Sequence, residues 1–190
     1  MIREAVLRRL AVLFILLILP LTPGLAAAPS TEPRITGITG QVKGREARVV
    51  FTVSNAFSPE MVEALKSGIE VSFKTVIRVE RVHRRWFDTT VGEIVFSRSV
   101  RYDALSRVYR LHRENREERL PDILDAIAGM TRYDVTVPLS ISVDRGKKYR
   151  AHVKTRLDKV GLSEPLRSIF FFSSLWDLET GWEKGYLHAP

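Results

Sequence analysis

The 190-residue chain contains no cysteine. That excludes disulfide staples, thiol nucleophiles and thiolate metal sites, so any ordered domain must hold together by its core alone. Histidine is nearly as scarce. His83, His112, His152 and His188 lie far apart, without the His-x-x-x-His spacing that puts two ligands on one helix face. A zinc site would need the fold to bring three of them together. There is no Gly-x-Ser-x-Gly elbow and no Ser-x-x-Lys at a helix start, so no hydrolytic nucleophile announces itself. Asp88, Asp103, Asp158 and Asp177 are scattered, and most fall at strand ends or turns, where capping explains them. No residue is therefore named as catalytic, cofactor-binding or metal-ligating, and no cofactor is expected. Internal repeats and a βαβ rhythm are also missing.

Long apolar runs are absent except at the N-terminus. Residues 1–9 carry Arg3, Arg8 and Arg9 against Glu4. Residues 10–19 hold no polar side chain, and Pro20, Pro23, Gly24 and Ala26, Ala27, Ala28 follow. That order of basic, apolar and small residues is a signal peptide's. The same stretch approaches the roughly 20 residues that span a bilayer, so an uncleaved anchor is the competing reading. Either way the arginines stay inside and the rest of the chain is exported. The expected organisation is a leader or anchor helix over 1–28, a proline-rich linker over 29–33 and a single β-rich domain over 34–190. A domain of about 160 residues can bury roughly 70% of its unfolded surface, enough to do without disulfides.

Thirty Lys and Arg outweigh 22 Asp and Glu, and the excess falls from +8 to +6 without the leader. In a cytoplasmic protein that balance points to nucleic acid. Export makes nucleic acid an unsuitable partner and redirects the charge towards anionic lipid head groups or envelope polymers. The plainer alternative is that the arginines form a solvated strand face.

The organising stretch is 69–88. Ile69, Val71, Phe73, Thr75, Ile77 and Val79 alternate with Glu70, Ser72 and Lys74, which is the period of a half-buried strand. Its length predicts a central strand, bulged near Val76. Ahead of it, strands over 35–42 and 48–54 flank a Lys43, Gly44, Arg45 turn. Ser58, Pro59 and Glu60 open a short helix that Gly68 closes. Behind it come strands over 93–102 and 107–113, joined by a tight Asp103–Ser106 turn. Arg98 shares the inward parity of Ile94, Phe96, Val100 and Tyr102, so it is either paired or at an edge. Residues 114–119 read as a solvated charged loop. Pro121 and Asp122 open a second helix closed by Gly129.

A strand over 133–143 follows, with Pro138 suiting an edge or a bulge. The strand over 148–158 sets Tyr149, Ala151, Val153, Thr155 and Leu157 against Lys148, Arg150, His152, Lys154 and Arg156. Phe170, Phe171, Phe172, Trp176 and Trp182 suggest a last strand sealing the core. The fold class is mainly β: an antiparallel β-sandwich or partly open barrel of seven or eight strands with two short connecting helices.

Four stretches carry a resemblance. They are the helix and its entry, Ser58 to Gly68; the strand end Arg84, Arg85, Trp86, Phe87, Asp88; the hairpin Arg101 to Tyr109, with its Tyr-x-Ala-Leu-Ser-Arg-x-Tyr element; and the tail from Arg156 through Pro165 and Leu166 to Trp176 and Trp182. In order and spacing they resemble the domain-of-unknown-function family 4390 of proteobacterial proteins, over essentially the whole chain beyond the leader. The resemblance implies an uncharacterised periplasmic domain of the Gram-negative envelope, in many members encoded beside a sensor histidine kinase of the NtrY type. It supplies no catalytic residues.

The reading that results is a non-catalytic envelope binding or accessory module, free in the periplasm or tethered to the inner membrane by its first helix, which would be its one membrane contact. Its candidate basic face is Arg150, His152, Lys154 and Arg156, and its candidate contact hairpin is Tyr102, Arg107 and Tyr109. The expected partner is an envelope protein, such as a sensor kinase, or an anionic envelope surface. Two alternatives from other classes stand beside it: a carrier or sensor of an apolar ligand inside a barrel, and an envelope hydrolase.

Overall fold

The computed structural model describes residues 32–113, 116–158 and 178–189, all within the unit Glu32–Pro190. These residues form nine strands in two antiparallel sheets, without barrel closure. The smaller sheet runs β1 (Arg34–Lys43), β2 (Glu46–Ser54), β7 (Arg132–Pro138). The larger runs β6 (Arg116–Leu120), β5 (Val108–Arg113), β4 (Thr89–Asp103), β3 (Val71–Val82), β8 (Lys148–Leu157), β9 (Glu183–Leu187). Helices α1 (Pro59–Lys66) and α2 (Ile123–Thr131) occupy the connections before β3 and β7. No described helix is long and apolar enough to cross a membrane. The leader, the aromatic stretch 169–172 and Trp176 lie outside the described residues.

The 69–88 stretch does organise the larger sheet, since β3 pairs with β4 on one side and β8 on the other. Val71, Phe73, Thr75, Ile77 and Val79 are all buried, as their alternation requires. The buried Thr75 hydroxyl finds the Thr155 hydroxyl 3.0 Å away on β8, which removes most of the cost of a polar group inside. The irregularity falls at Val79/Glu80 and not at Val76. Val91 of β4 is the extra residue there, and its carbonyl is released from the ladder to accept from the Ser140 amide at 2.7 Å. Gly92 beside it is required, because a Cβ would come within 2.6 Å of the Pro138 carbonyl. The bulge thus sits where the end of the smaller sheet leans on β4. Pro138 terminates β7, and Leu139, Ser140 and Val143 bond instead to Arg45, Val91 and Gly44.

Both helices are capped as their sequences predict. The Ser58 hydroxyl accepts from the Met61 amide, and Asp122 accepts from Leu124. At the C-terminus of α1, Gly68 takes φ +83° and donates to Leu65 while Ile69 donates to Ala64, a paired return that satisfies two orphan carbonyls. Gly129 does not close α2. It lies inside the helix, where any Cβ would run into the Leu111 side chain of β5, so it lets helix and sheet approach.

Residues 116–119, expected in a solvated loop, belong to β6. Its ladder to β5 runs from Tyr109↔Leu120 to Arg113↔Arg116. Four of its five residues are exposed, so it has no apolar alternation to betray it, and cross-strand charge pairs such as Arg113 with Glu118 hold it instead. The two sheets meet again at β1 and β9, where Val42 donates to the His188 carbonyl and His188 to that of Gly40.

Arg98 points inward from β4, in the middle of the larger sheet, and is 4% exposed. Its Nη1 donates to the carbonyls of Gly129 at 3.1 Å and Arg132 at 2.7 Å, at the C-terminal end of α2. Its guanidinium lies 4.0 Å from the centre of the Tyr133 ring, which stacks on Phe51. The negative end of the helix and the face of the ring together compensate a buried positive charge. Arg98→Met should lower the unfolding free energy by about 3 kcal/mol in urea titrations, since two buried carbonyls and a ring face lose their partner. Arg98→Lys, which keeps charge but not the planar fork, should fall between.

Candidate functional site

The strand alternation that buries one face of the larger sheet exposes the other, and there the structure places the candidate basic residues on β8. They are interleaved with carboxylates. Arg150 reaches Asp88 at 2.7 Å, His152 Nε2 lies 2.9 Å from Glu80, and Lys154 pairs with Glu179. Arg156 is exposed at the end of the row, its backbone bridged to Glu179. On the neighbouring strand Arg78 donates to Glu93 at 2.8 Å. Two aromatic rings stand over this lattice, with the Arg78 guanidinium 5.4 Å from the centre of Trp182 and that of Arg150 5.6 Å from Tyr186. The face is a woven charge network topped by aromatics, and much of its positive charge is answered locally.

The candidate hairpin lies on β4 and β5. Tyr102 and Tyr109 are direct cross-strand partners with ring centres 4.9 Å apart. Tyr109 is buried, and that burial pushes its hydroxyl pKa up. Arg107 adopts φ +54° at the turn and is exposed. Leu105 at the tip is 99% exposed, packing against nothing. Asp103 holds the turn: its Oδ1 accepts from the amides of Leu105 at 3.0 Å and Ser106 at 3.3 Å, and its other oxygen pairs with Arg110.

A second exposed tip was read from sequence only as a strand end. Between β3 and β4, Arg84, Arg85, Trp86 and Phe87 are all exposed, Trp86 at 80% and Phe87 at 86%. The signal was present in the pattern. Apolar alternation stops at Val79, and two adjacent rings in a connection cannot both turn towards one core. Asp88 anchors the tip by accepting from the His83 amide at 2.9 Å and from Arg150. Tyr186 carries no comparable sequence signal, because β9 is short and Glu183, Lys184 and Tyr186 are exposed.

Among the described residues Phe73 and Ile77 are fully buried and Phe96, partly buried, lies against Tyr133, so side chains fill the space between the sheets at these positions. Among the described residues no three His, Asp or Glu converge in a way that would hold a metal ion. The four histidines occupy four separate places: beside Thr89, beside Glu117, beside Glu80, and at the β1 bridge. Asp88 and Asp103 serve turns, and Asp177 lies outside the described residues.

A family model described as "Domain of unknown function (DUF4390)" matches residues 31–185. No curated protein and no solved structure matches the chain.

Hydrogen bonding from Ser106, its hydroxyl first and then its amide, with further help from Arg110 and Leu105, holds the Asp103 carboxyl at about 2 against an ordinary 3.8. A depressed carboxyl stabilises the fold above its unfolded pKa, and that contribution is lost as pH falls through the folded one. An NMR titration should place the Asp103 midpoint near 2, with amide protection at Leu105 and Ser106 fading between pH 4 and pH 2. Asp103→Asn should abolish that pH dependence of the turn.

Proposed function

The chain belongs to the DUF4390 family of domains of unknown function, and from that premise we propose that it works outside the cytoplasm as a non-catalytic binding or accessory module. One observation carries the reading: among the described residues the core positions are packed by the chain's own side chains, while its unspent chemistry sits on the outer face of the larger sheet and on its hairpin tips. Leu105, exposed at a turn that Asp103 makes rigid, and Arg107 beside it have the character of a small preorganised contact point. The charge lattice beside Trp182 and Tyr186 gives a second contact surface, rich in the arginine and aromatic side chains that dominate protein interfaces. An envelope protein is the partner this surface suits, and a sensor kinase is one such protein.

A photo-reactive residue in place of Leu105, introduced into the full chain in intact cells, should trap a single envelope protein. Arg107→Glu should reduce that adduct at least about tenfold, the effect of losing roughly 1.4 kcal/mol or more at a contact. The reading is overturned if positions 105 and 156 both give no adduct, or if the purified chain turns over an envelope substrate.

A further inference from the structure

Three connections leave the sandwich at one end, and they are tied to each other. Val82, the last residue of β3, pairs with Lys148, the first of β8, so the 83–88 tip and the 144–147 turn emerge side by side. Arg81 and Asp144 join them at 3.1 Å, and Arg150 joins Asp88 to the start of β8. The β1–β2 turn belongs to the same end, because Val143 donates to the Gly44 carbonyl at 2.8 Å and Arg45 to that of Ser140 at 2.9 Å. Each of the three connections carries exposed cations: Arg84 and Arg85 on the first, Arg145, Lys147 and Lys148 around the second, Lys43 on the third. The described carboxylates at this end are Asp88 and Asp144, both committed to arginines, Glu80, which faces His152, and Glu46. Beside them opens a groove of about 380 Å3, lined by Lys147, Lys148, Tyr186 and His188 among others. Above this cationic platform stand Trp86 and Phe87, whose rings contribute nothing to the core.

We propose that this end of the domain docks on an anionic lipid bilayer, with Trp86 and Phe87 entering the interfacial region and the surrounding cations facing the phosphates. A protein pocket would receive the two rings without needing cations spread over three separate connections. A lipid surface explains both features together, since indole and phenyl rings partition into the head-group region while lysines and arginines gain from the negative surface potential. The groove between Lys148 and Tyr186 is then a place for a head-group phosphate. Each cation near such a surface contributes by an additive, salt-sensitive attraction, so reversing two of them is a large perturbation.

The test uses the full chain on vesicles of phosphatidylglycerol mixed with phosphatidylcholine, and on vesicles of phosphatidylcholine alone. The apolar residues 10–19 are present in every arm, so whatever they add is common to all. The readout is quenching of Trp86 by lipids brominated near the head of the acyl chain, isolated by subtracting the signal of Trp86→Phe. The expected result is quenching on the anionic vesicles that weakens with added salt, and an apparent lipid affinity at least about tenfold lower in Arg84→Glu/Arg85→Glu. Asp88 is left intact in that variant, and unchanged circular dichroism and melting show that the sheet is retained. Equal quenching on neutral vesicles, no quenching on anionic ones, or full affinity after charge reversal overturns the proposal. So does a photo-reactive residue at position 86 that labels a protein and no lipid. The Leu105 adduct is scored separately, so failure here is distinguishable from failure of the partner-binding reading.

Discussion

A single buried cation decides how the pieces of this domain fit. Arg98 projects from the middle of the larger sheet, donates to carbonyls at the C-terminal end of α2, and lies over the Tyr133 ring of the smaller sheet. A charge in that position is tolerable only when several groups surround it in the right geometry, so it rewards one arrangement of helix and sheets over its near neighbours. Gly129 and Gly92 follow from the same closeness. Each marks a place where one element comes so near another that a methyl group has no room. The buried Thr75–Thr155 pair adds a polar link of the same kind between β3 and β8.

Outside that core the charge of the chain is distributed unevenly. Along β8 and its neighbours each of several cations meets a carboxylate across the strands, and the aromatic rings of Trp182 and Tyr186 cover two of the guanidiniums. The excess of basic residues is therefore felt most where connections leave the sheets and carboxylates are few. Counting charges along a strand overstates its field, because a strand's true neighbours in electrostatics are the strands beside it.

Much of the architecture could be read from residues alone, because burial on one face of a sheet writes itself into the sequence as alternation. The central position of β3 is of this kind, while the caps of α1 and the turn at Gly44 are written in Ser58, Pro59 and the glycines. Arg98 was legible as an inward residue in need of a partner, but its partners, two backbone carbonyls and a ring, lie about 31 to 35 residues further on and carry no signature. β6 was invisible because it buries almost nothing, and the Val91 bulge because its cause is the end of another sheet. The tip at Trp86 and Phe87 was legible in principle as the point where alternation fails. Of the candidate residues, Arg150, His152 and Lys154 do stand together on one face, but the carboxylates woven among them come from distant parts of the chain.

An open sandwich has margins that a closed barrel lacks, and a bare strand margin is a template on which identical chains can stack. Here the β9 side of the larger sheet is shielded by its junction with β1, while on the β6 side Arg116, Glu117, Glu118 and Arg119 present ionised groups in succession. To add another strand there, a second copy would have to strip water from all four and place like charges side by side. Among the described residues, the short charged strand that packs so little against the core thus disfavours edge-to-edge pairing on its side of the sheet.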